Sequence, residues 1–295
     1  MSYFQDNNDK ELHALISLLD EPNMLMFGKV RERILSYGLE AIPILENTWD
    51  SCFDDIIQQR IENLIHKIQF GHTFNEFRSW ALDEKRDLLE GYFLIAQYAY
   101  PELEREDIDK MINVIKKDVW LELNDNLTAL EQVKVINHII FDIHKFKANR
   151  RSIRTIQNHF LNNLLDTKKG SNLSLGILYL IIVQDFGIPI YGVDLPRHFI
   201  LTYTKTRKHA DDKCFSEDDA LFYINPFTKG TVITAKEVEL FITQLNLPSE
   251  PSFYCPCDEV TIIKRLLSDL MISYNKQGFP EKVKELEKLL GCLPE

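Results

Sequence analysis

The fold is decided by residues 166–203, DTKKGSNLSLGILYLIIVQDFGIPIYGVDLPRHFILTY, which predict one buried helix followed by two strands. Apolar side chains surround nearly the whole circumference of a helix over residues 173–183, so we expect that helix to be central and buried. Gly187 and Pro189 then end the helix and begin a strand. At the helix N-terminus, unpaired backbone N–H groups favour a capping oxygen or an anion. Three polar residues cluster there: Ser171, Asn172 and Ser174.

The segments on either side of this stretch predict a mainly helical chain with one small β-rich region. Elsewhere, apolar residues recur at spacings of three and four, as in helices packed on one side. The polar stretch 205–220 predicts a solvated loop between two strands. We therefore expect an α+β fold that is predominantly helical. Four short β-rich runs predict its strands: 189–195, 198–204, 221–224 and 231–233. The chain is predicted to have four segments. They are a helical segment at 1–72, the helical part of the core domain at 73–150, the core itself at 151–250 and a helical pair at 258–295.

The acidic composition excludes several classes of partner. The chain has 34 Lys and Arg against 45 Asp and Glu, a formal net charge of −11, and a pI of about 5.3. Nucleic-acid binders use a surplus of Lys and Arg to displace counterions from phosphates, so we expect no nucleic-acid partner. Anionic membrane surfaces are disfavoured for the same reason. No apolar run reaches the roughly eighteen residues of a membrane span, so we expect no membrane insertion.

The cysteines and the first residues of the chain predict a cytoplasmic protein. The five cysteines form no CxxC pair and no even disulfide framework, and the start MSYFQDNNDK lacks the regions of a signal peptide. One residue separates Cys255 from Cys257, which is closer than structural zinc ligands usually lie. His138 and His144 fall on opposite faces of a predicted helix. We therefore expect no metal and no cofactor.

Three short motifs occur in order along the chain: G-x-N-x-x-x-G at 170–176, GIPIYGVDLPRHF at 187–199 and YINPFTKG at 223–230. This series resembles the transglutaminase-like superfamily, and within it the bacterial SirB-type branch, whose members read G-x-P-I-S-L, G-V-N-x-P-G-H-F and I-D-P-F-x-x-G. The resemblance covers roughly residues 75–295 and is more specific than any single motif. Residues 1–72 also resemble HEAT-type helical units, and the tail 258–295 is similar to one tetratricopeptide unit.

The resemblance implies a cysteine-proteinase or transglutaminase-like core, in which a buried helix packs on a small antiparallel sheet between helical-repeat-like segments. It also implies a catalytic triad at three positions. Active members have a cysteine two residues after the glycine, where this sequence has Asn172. The histidine position matches His198, and the acidic position is occupied by Asn225. A cysteine at a helix N-terminus attacks as a thiolate, whereas an asparagine amide does not ionise and cannot attack.

Each of these residues also has an ordinary structural role. Asn172 is a favoured residue type for capping a helix, and Asn225 before Pro226 is a common way to open a turn. His198 then bridges a strand and a helix. Ser171 and Ser174 are the alternative nucleophiles, but Ser174 points about 200° away from position 172 on the helix. Ser171 precedes the helix, where its oxygen is a natural cap.

These observations leave three hypotheses open. The first is a non-catalytic transglutaminase-like protein whose cleft binds a peptide or protein partner and whose flanking helices serve as a regulatory scaffold. The second is an amide or ester hydrolase, or a transferase, that uses Ser171 or Ser174 as nucleophile with His198 as base and Asn225 as its orienting group. The third is a scaffold without a functional cleft. The SirB-type motif itself lacks the cysteine, which favours the first hypothesis.

Overall fold

The computed structural model describes residues 10–150, 155–206 and 219–294. The chain divides into two compact units, Met1–Phe77 and Arg78–Glu295. The predicted fold class, a mainly helical α+β chain with a small antiparallel sheet, is confirmed. Within the described ranges, the helices are too short or too polar to cross a membrane.

The described part of the first unit is helical. Asn23 begins its second helix, because the side-chain oxygen of Asn23 accepts hydrogen bonds from the N–H groups of Leu25 and Met26. The inward faces of the helices share one apolar core, which includes Ile34 and Leu64. The helices are α1 (residues 10–16), α2 (Met24–Leu35), α3 (Ile42–Ser51) and most of α4 (Asp55–Leu82), with a 3-10 turn at Gly38–Ala41.

The second unit contains the sheet. Its strands are β3 (Ile190–Leu195), β4 (His198–Thr204), β5 (Ala220–Asn225) and β6 (Thr231–Ile233), which are hydrogen-bonded in that order and antiparallel. Leu195 pairs with His198, so that a turn of two residues joins β3 to β4. The four predicted strands are confirmed to within one residue at each end. Most of the predicted loop at 205–220 lies outside the described residues.

Helices account for most of the rest of the second unit. The helices are interrupted along the chain by a π-helical turn at His138–Ile143. Two short strands, β1 (Lys147–Ala148) and β2 (Lys169–Gly170), form a parallel pair. Short 3-10 turns occupy Ile156–His159 and Pro226–Thr228. The helices are α5 (Leu88–Ala99), α6 (Arg105–Glu122), α7 (Ala129–Asn137), α8 (Leu161–Thr167), α9 (Asn172–Val183), α10 (Ala235–Gln244), α11 (Glu259–Gln277) and α12 (Pro280–Leu290).

Helix α9 is the central helix that the sequence predicts. Every residue from Leu173 to Val183 is buried. The helix packs closely on the sheet at Gly176, where an added β-carbon would lie 2.5 Å from the ring of Phe199 on β4. A residue with a side chain would not fit there without moving that ring. Because of this close approach, the N-terminus of α9 lies beside the beginning of β4.

The last two helices form the pair that the sequence predicts after residue 258. Gly278, with φ of 80°, ends α11, and Pro280 begins α12. Helix α11 also contacts the sheet, because Nη1 of Arg265 lies 2.5 Å from Oδ1 of Asp194 on β3. Helix α12 packs on α11, and α11 contacts β3 and forms one wall of the site described below.

Candidate functional site

The N-terminus of α9 is capped by Ser171. Its backbone is extended, with φ of −72° and ψ of 172°, and its hydroxyl oxygen accepts a hydrogen bond from the N–H of Ser174. The prediction that Ser171 caps the helix is confirmed. The prediction that Asn172 is the cap is wrong, because Asn172 is the first helical residue. Its side chain accepts a hydrogen bond from the backbone of β4 instead of from the helix.

Asn172 lies against His198. Nδ2 of Asn172 is 2.7 Å from Nδ1 and 2.9 Å from Nε2 of the histidine ring, so the amide nitrogen lies within hydrogen-bond distance of both ring nitrogens. Oδ1 of the same amide accepts a hydrogen bond of 3.1 Å from the N–H of Phe199. The amide N–H can donate only to a ring nitrogen without a proton, so this contact favours the neutral imidazole.

The side chain of Asn225 lies close enough to His198 to act on the pKa of its ring as a hydrogen-bonding group. Oδ1 of Asn225 accepts a hydrogen bond of 3.1 Å from the N–H of Phe227, which opens the 3-10 turn after β5. The expected turn-opening role of Asn225 is therefore present together with its contact to His198. The structure thus brings together the three positions that the resemblance singles out, Asn172, His198 and Asn225.

The surroundings of His198 keep its ring neutral. Burial lowers the pKa of His198 below its usual value, and the positive charge of Arg265 acts in the same direction, while the hydrogen bond with Asn225 opposes them. The ring of Phe241 lies 5.5 Å away, which adds apolar surface to one side of the imidazole. A neutral histidine of this kind is a hydrogen-bonding group rather than a charged one at pH 7.

The two serines hydrogen-bond to each other and to the start of the helix rather than to this histidine. The hydroxyls of Ser171 and Ser174 are 3.1 Å apart, and the hydroxyl of Ser174 also donates to the backbone oxygen of Ser171 at 3.2 Å. Ser174 is fully buried. Among the residues that the structure describes, neither hydroxyl forms a hydrogen bond with His198. Both serines organise the beginning of the helix, and neither is paired with a base.

A cleft with a volume of about 230 Å³ opens beside Asn172 and His198. Its other wall comes from α11. Sequence reasoning did not assign these α11 residues to the site, although their spacing of three and four along the helix places them on one face. The cleft is lined by His159, Ser171, Asn172, Leu173, Arg197, His198, Phe199, Arg265, Asp269, Ile272, Ser273 and Lys276.

His159 is a second histidine of the cleft that sequence reasoning missed. Its side chain is 5% exposed, and Nε2 lies 3.4 Å from the hydroxyl oxygen of Ser273. Burial lowers the pKa of His159 to about 4, so the ring is neutral at pH 7. Nδ1 of this ring has no hydrogen-bond partner in the described part of the chain. A buried polar atom without a partner is unfavourable unless a ligand or solvent satisfies it.

The described cysteines lie away from this cleft. Sγ of Cys257 is 3.3 Å from the backbone oxygen of Gly192, and burial raises the pKa of this thiol. A thiol held neutral in this way is a poor nucleophile. Within residues 10–150, 155–206 and 219–294, no group of three or more His, Cys, Asp or Glu is placed to hold a metal ion.

Comparison with known proteins identifies relatives of this chain. A family model described as the transglutaminase-like superfamily matches residues 106–268, which is more than half of the chain. F-box only protein 21 from Homo sapiens is 25% identical over 230 residues, which cover 70% of this chain and 36% of that protein. The UPF0162 protein YchA from Escherichia coli K12 is 24% identical over 219 residues, or 72% of this chain and 76% of that protein.

The matched region is a different share of each relative. The chain spans about a third of the length of F-box only protein 21, from mouse as well as from human. No solved structure matches the chain at a significant level. The relatives therefore identify the kind of domain, and the geometry of the cleft carries the argument about function.

Proposed function

Because the chain belongs to the transglutaminase-like superfamily, we propose that it is a member without catalytic activity, whose cleft binds a peptide segment of a partner protein. The contact between Asn172 and His198 carries this proposal. An asparagine amide, which cannot attack a carbonyl group, takes the place where the resemblance puts the cysteine nucleophile. The histidine partner and the cleft beside it are retained, so the place for a ligand remains without the group that would react with it.

The size of the cleft suits a segment of peptide. Its volume of about 230 Å³ is below the roughly 300–1,000 Å³ of typical small-molecule pockets. A few side chains of an extended peptide fit such a space, while the rest of the partner stays outside. The lining mixes apolar residues such as Leu173 and Ile272 with hydrogen-bonding groups, which is the usual make-up of a recognition site.

The alternative, a hydrolase or transferase, needs a hydroxyl nucleophile within reach of a base. Ser171 and Ser174 hydrogen-bond to each other and to the helix start, and Ser174 is fully buried. This geometry does not favour the alternative. A serine-directed probe that labelled Ser171 would revive it.

We also propose finer assignments for the rest of the chain. The likeness to the UPF0162 proteins supports a place in the SirB-type bacterial branch. The paired helices of residues 1–72 and 258–295 support the HEAT-like and tetratricopeptide-like descriptions, and such modules commonly bind proteins. Cys52, Cys257 and Cys292 are free thiols, which supports a cytoplasmic location.

The proposal is tested by capturing partners with the full-length protein and two variants. His198→Ala removes the ring that faces Asn172. His144→Ala is the matched control, because His144 is also largely buried and bonded, to Oδ2 of Asp118 at 2.8 Å, but does not line the cleft. Proteins captured from extracts of the source organism are compared by quantitative mass spectrometry, after circular dichroism has shown that all three proteins are folded.

We expect at least one protein to be captured by the wild type and by His144→Ala but lost with His198→Ala. Capture of the same proteins by all three would contradict a role for the cleft. A captured partner that is cut or chemically modified on incubation with the wild type would contradict the absence of catalysis.

A further inference from the structure

The charged residues that line the cleft are mainly basic. Among the described residues, the lining has three basic side chains, Arg197, Arg265 and Lys276, and one carboxylate, Asp269. Arg265 is held between two carboxylates, since Nη1 lies 2.5 Å from Asp194 and Nε lies 3.5 Å from Asp269. Burial raises the pKa of both carboxyl groups, and the charge of Arg265 opposes that effect. Arg265 therefore belongs to an internal ion-pair network of the site.

Arg197 and Lys276 are different, because no acidic group of the described residues pairs with them. Both side chains are exposed, and in the described ranges neither makes a hydrogen bond or an ion pair. The two come from different elements, Arg197 from the turn between β3 and β4 and Lys276 from α11, and both line the same cleft. In a chain with a net charge of −11, two unpaired cations at one cleft create a local positive potential.

The backbone of Arg197 adds a second observation. Arg197 has φ of 61°, in the left-handed region that glycine adopts more easily than any residue with a side chain. Six described non-glycine residues have a positive φ, and Arg197 is the one among them that lines the cleft. Strain of this kind at the edge of a site points to a use for the side chain.

Two buried features of the cleft also suit an anionic group and its peptide. The first turn of α9, at Asn172 and Leu173, presents the positive end of the helix dipole to the cleft. The hydroxyl of Ser273 donates to the backbone oxygen of Asp269, so Nε2 of His159 is the ring nitrogen that carries the proton and donates to Ser273. Nδ1, buried and without a partner in the described part of the chain, is then an acceptor for a peptide N–H. The cleft therefore offers positive groups at its rim and a hydrogen-bond acceptor in its wall.

On the premise that the cleft binds peptides as proposed above, we infer that it selects peptides carrying a carboxylate, which Arg197 and Lys276 bind. Arginine and lysine recognise carboxylates by charge-assisted hydrogen bonds, and arginine does so with two parallel N–H groups. The carboxylate comes from an Asp or Glu side chain within the segment or from the C-terminus of the partner. Both sources present the same chemistry to the two cations.

The test is a selection of peptides on the full-length protein from two random libraries. In one library the peptides are fused to the carrier through their C-termini, so that only side chains supply carboxylates. In the other the C-termini are free. The same selections are made on Arg197→Gln, Lys276→Gln and His198→Ala. Lys236→Gln is the matched control for the two cations, because Lys236 is an exposed lysine of the same unit that does not line the cleft.

If side chains supply the carboxylate, we expect the first library to yield peptides enriched in Asp and Glu. If the C-terminus supplies it, we expect binding peptides from the second library alone, and these need no internal acidic residue. Their affinity should fall by about tenfold or more in Arg197→Gln and Lys276→Gln and stay unchanged in Lys236→Gln. Peptides that bind the wild type and lose binding in His198→Ala, but show no acidic preference, would overturn the carboxylate inference and leave peptide binding intact. Failure of both libraries to yield peptides whose binding depends on His198 would overturn both proposals.

Discussion

Asn172 joins α9 to β4 through both ends of its amide. Oδ1 accepts from the N–H of Phe199, and Nδ2 faces the ring of His198. A cysteine at this position would leave the N–H of Phe199 without its side-chain acceptor, and a buried donor without a partner is unfavourable. The asparagine therefore links helix and strand at the position where the resemblance expects a cysteine.

A substitution of Arg197 should weaken peptide binding without lowering the stability of the fold. Arg197→Gly relieves the left-handed strain but increases the entropy of the unfolded chain, so we expect the free energy of unfolding to stay the same or to rise by up to ~1 kcal/mol. Binding of a carboxylate peptide should weaken at the same time. Urea unfolding and calorimetric titration measure the two effects, with Arg197→Gln as the control that keeps the β-carbon. A clear loss of stability in Arg197→Gly would speak against the strained conformation.

His159 should make the fold less stable in mild acid. Its pKa of about 4 in the folded protein lies below the value near 6.5 of an unfolded histidine. Its contribution is therefore fully present above pH 6.5 and is lost as the pH falls towards 4. We expect His159 to lower the free energy of unfolding by roughly 2 kcal/mol between pH 7.5 and pH 5.

Comparison with His159→Gln isolates this effect, because the raised pKa values of Asp194 and Asp269 act in the opposite direction in both proteins. Urea unfolding at the two pH values gives the free energies. Equal pH dependence in the wild type and in His159→Gln would show that His159 is not held neutral by burial.

At the scale of elements, the packing of α9 on β4 leaves no space for a side chain at Gly176. Gly176→Ala would place a β-carbon 2.5 Å from the ring of Phe199, so we expect a loss of about 1–3 kcal/mol despite the better helix propensity of alanine. Gly71→Ala is the control, because Gly71 lies within α4 and its added β-carbon would meet nothing within 4 Å. That change should stabilise its helix by roughly 0.5–1 kcal/mol. Similar results for both variants in urea unfolding would contradict the close packing.

The local elements could be predicted from the sequence because their signals are local. The apolar circumference of residues 173–183 and the β-rich runs determine α9 and the strands. The capping of α9 was predicted only in part, since Ser171 and Asn172 are both favoured cap residues and their neighbours in sequence do not separate them. The side chain of Asn172 instead binds the N–H of Phe199, 27 residues further along the chain. This contact, which the neighbouring sequence does not reveal, leaves Ser171 as the cap.

The α11 wall of the cleft could not be predicted by the same reasoning. Its residues carry an ordinary amphipathic pattern, which predicts a helix but not the surface it packs on. The ion pair of Arg265 with Asp194 joins residues that are 71 positions apart. The predicted strands 189–195 and 198–204 leave two residues for the turn, and such short turns need a positive φ, which the structure places at Arg197. The sequence does not show that the Arg197 side chain lines the cleft.

At the scale of the whole molecule, the net charge of −11 should prevent binding to polyanions despite the basic cleft. Two exposed cations at one site neutralise too few phosphates to overcome the repulsion from the remaining surface. We expect the dissociation constant for duplex DNA to exceed ~0.1 mM at physiological salt. Fluorescence anisotropy with a labelled duplex measures it, and tighter binding that weakened steeply with salt would contradict the prediction.

The most direct test of non-catalytic peptide binding is calorimetric titration of a library-selected peptide into the full-length protein, followed by mass spectrometry of that peptide after prolonged incubation. We predict that the wild type and His144→Ala bind the peptide equally, that His198→Ala binds it about tenfold or more weakly, and that the mass of the peptide does not change. Equal binding by all three proteins, or a cleaved or modified peptide in the wild-type sample, would contradict the proposal.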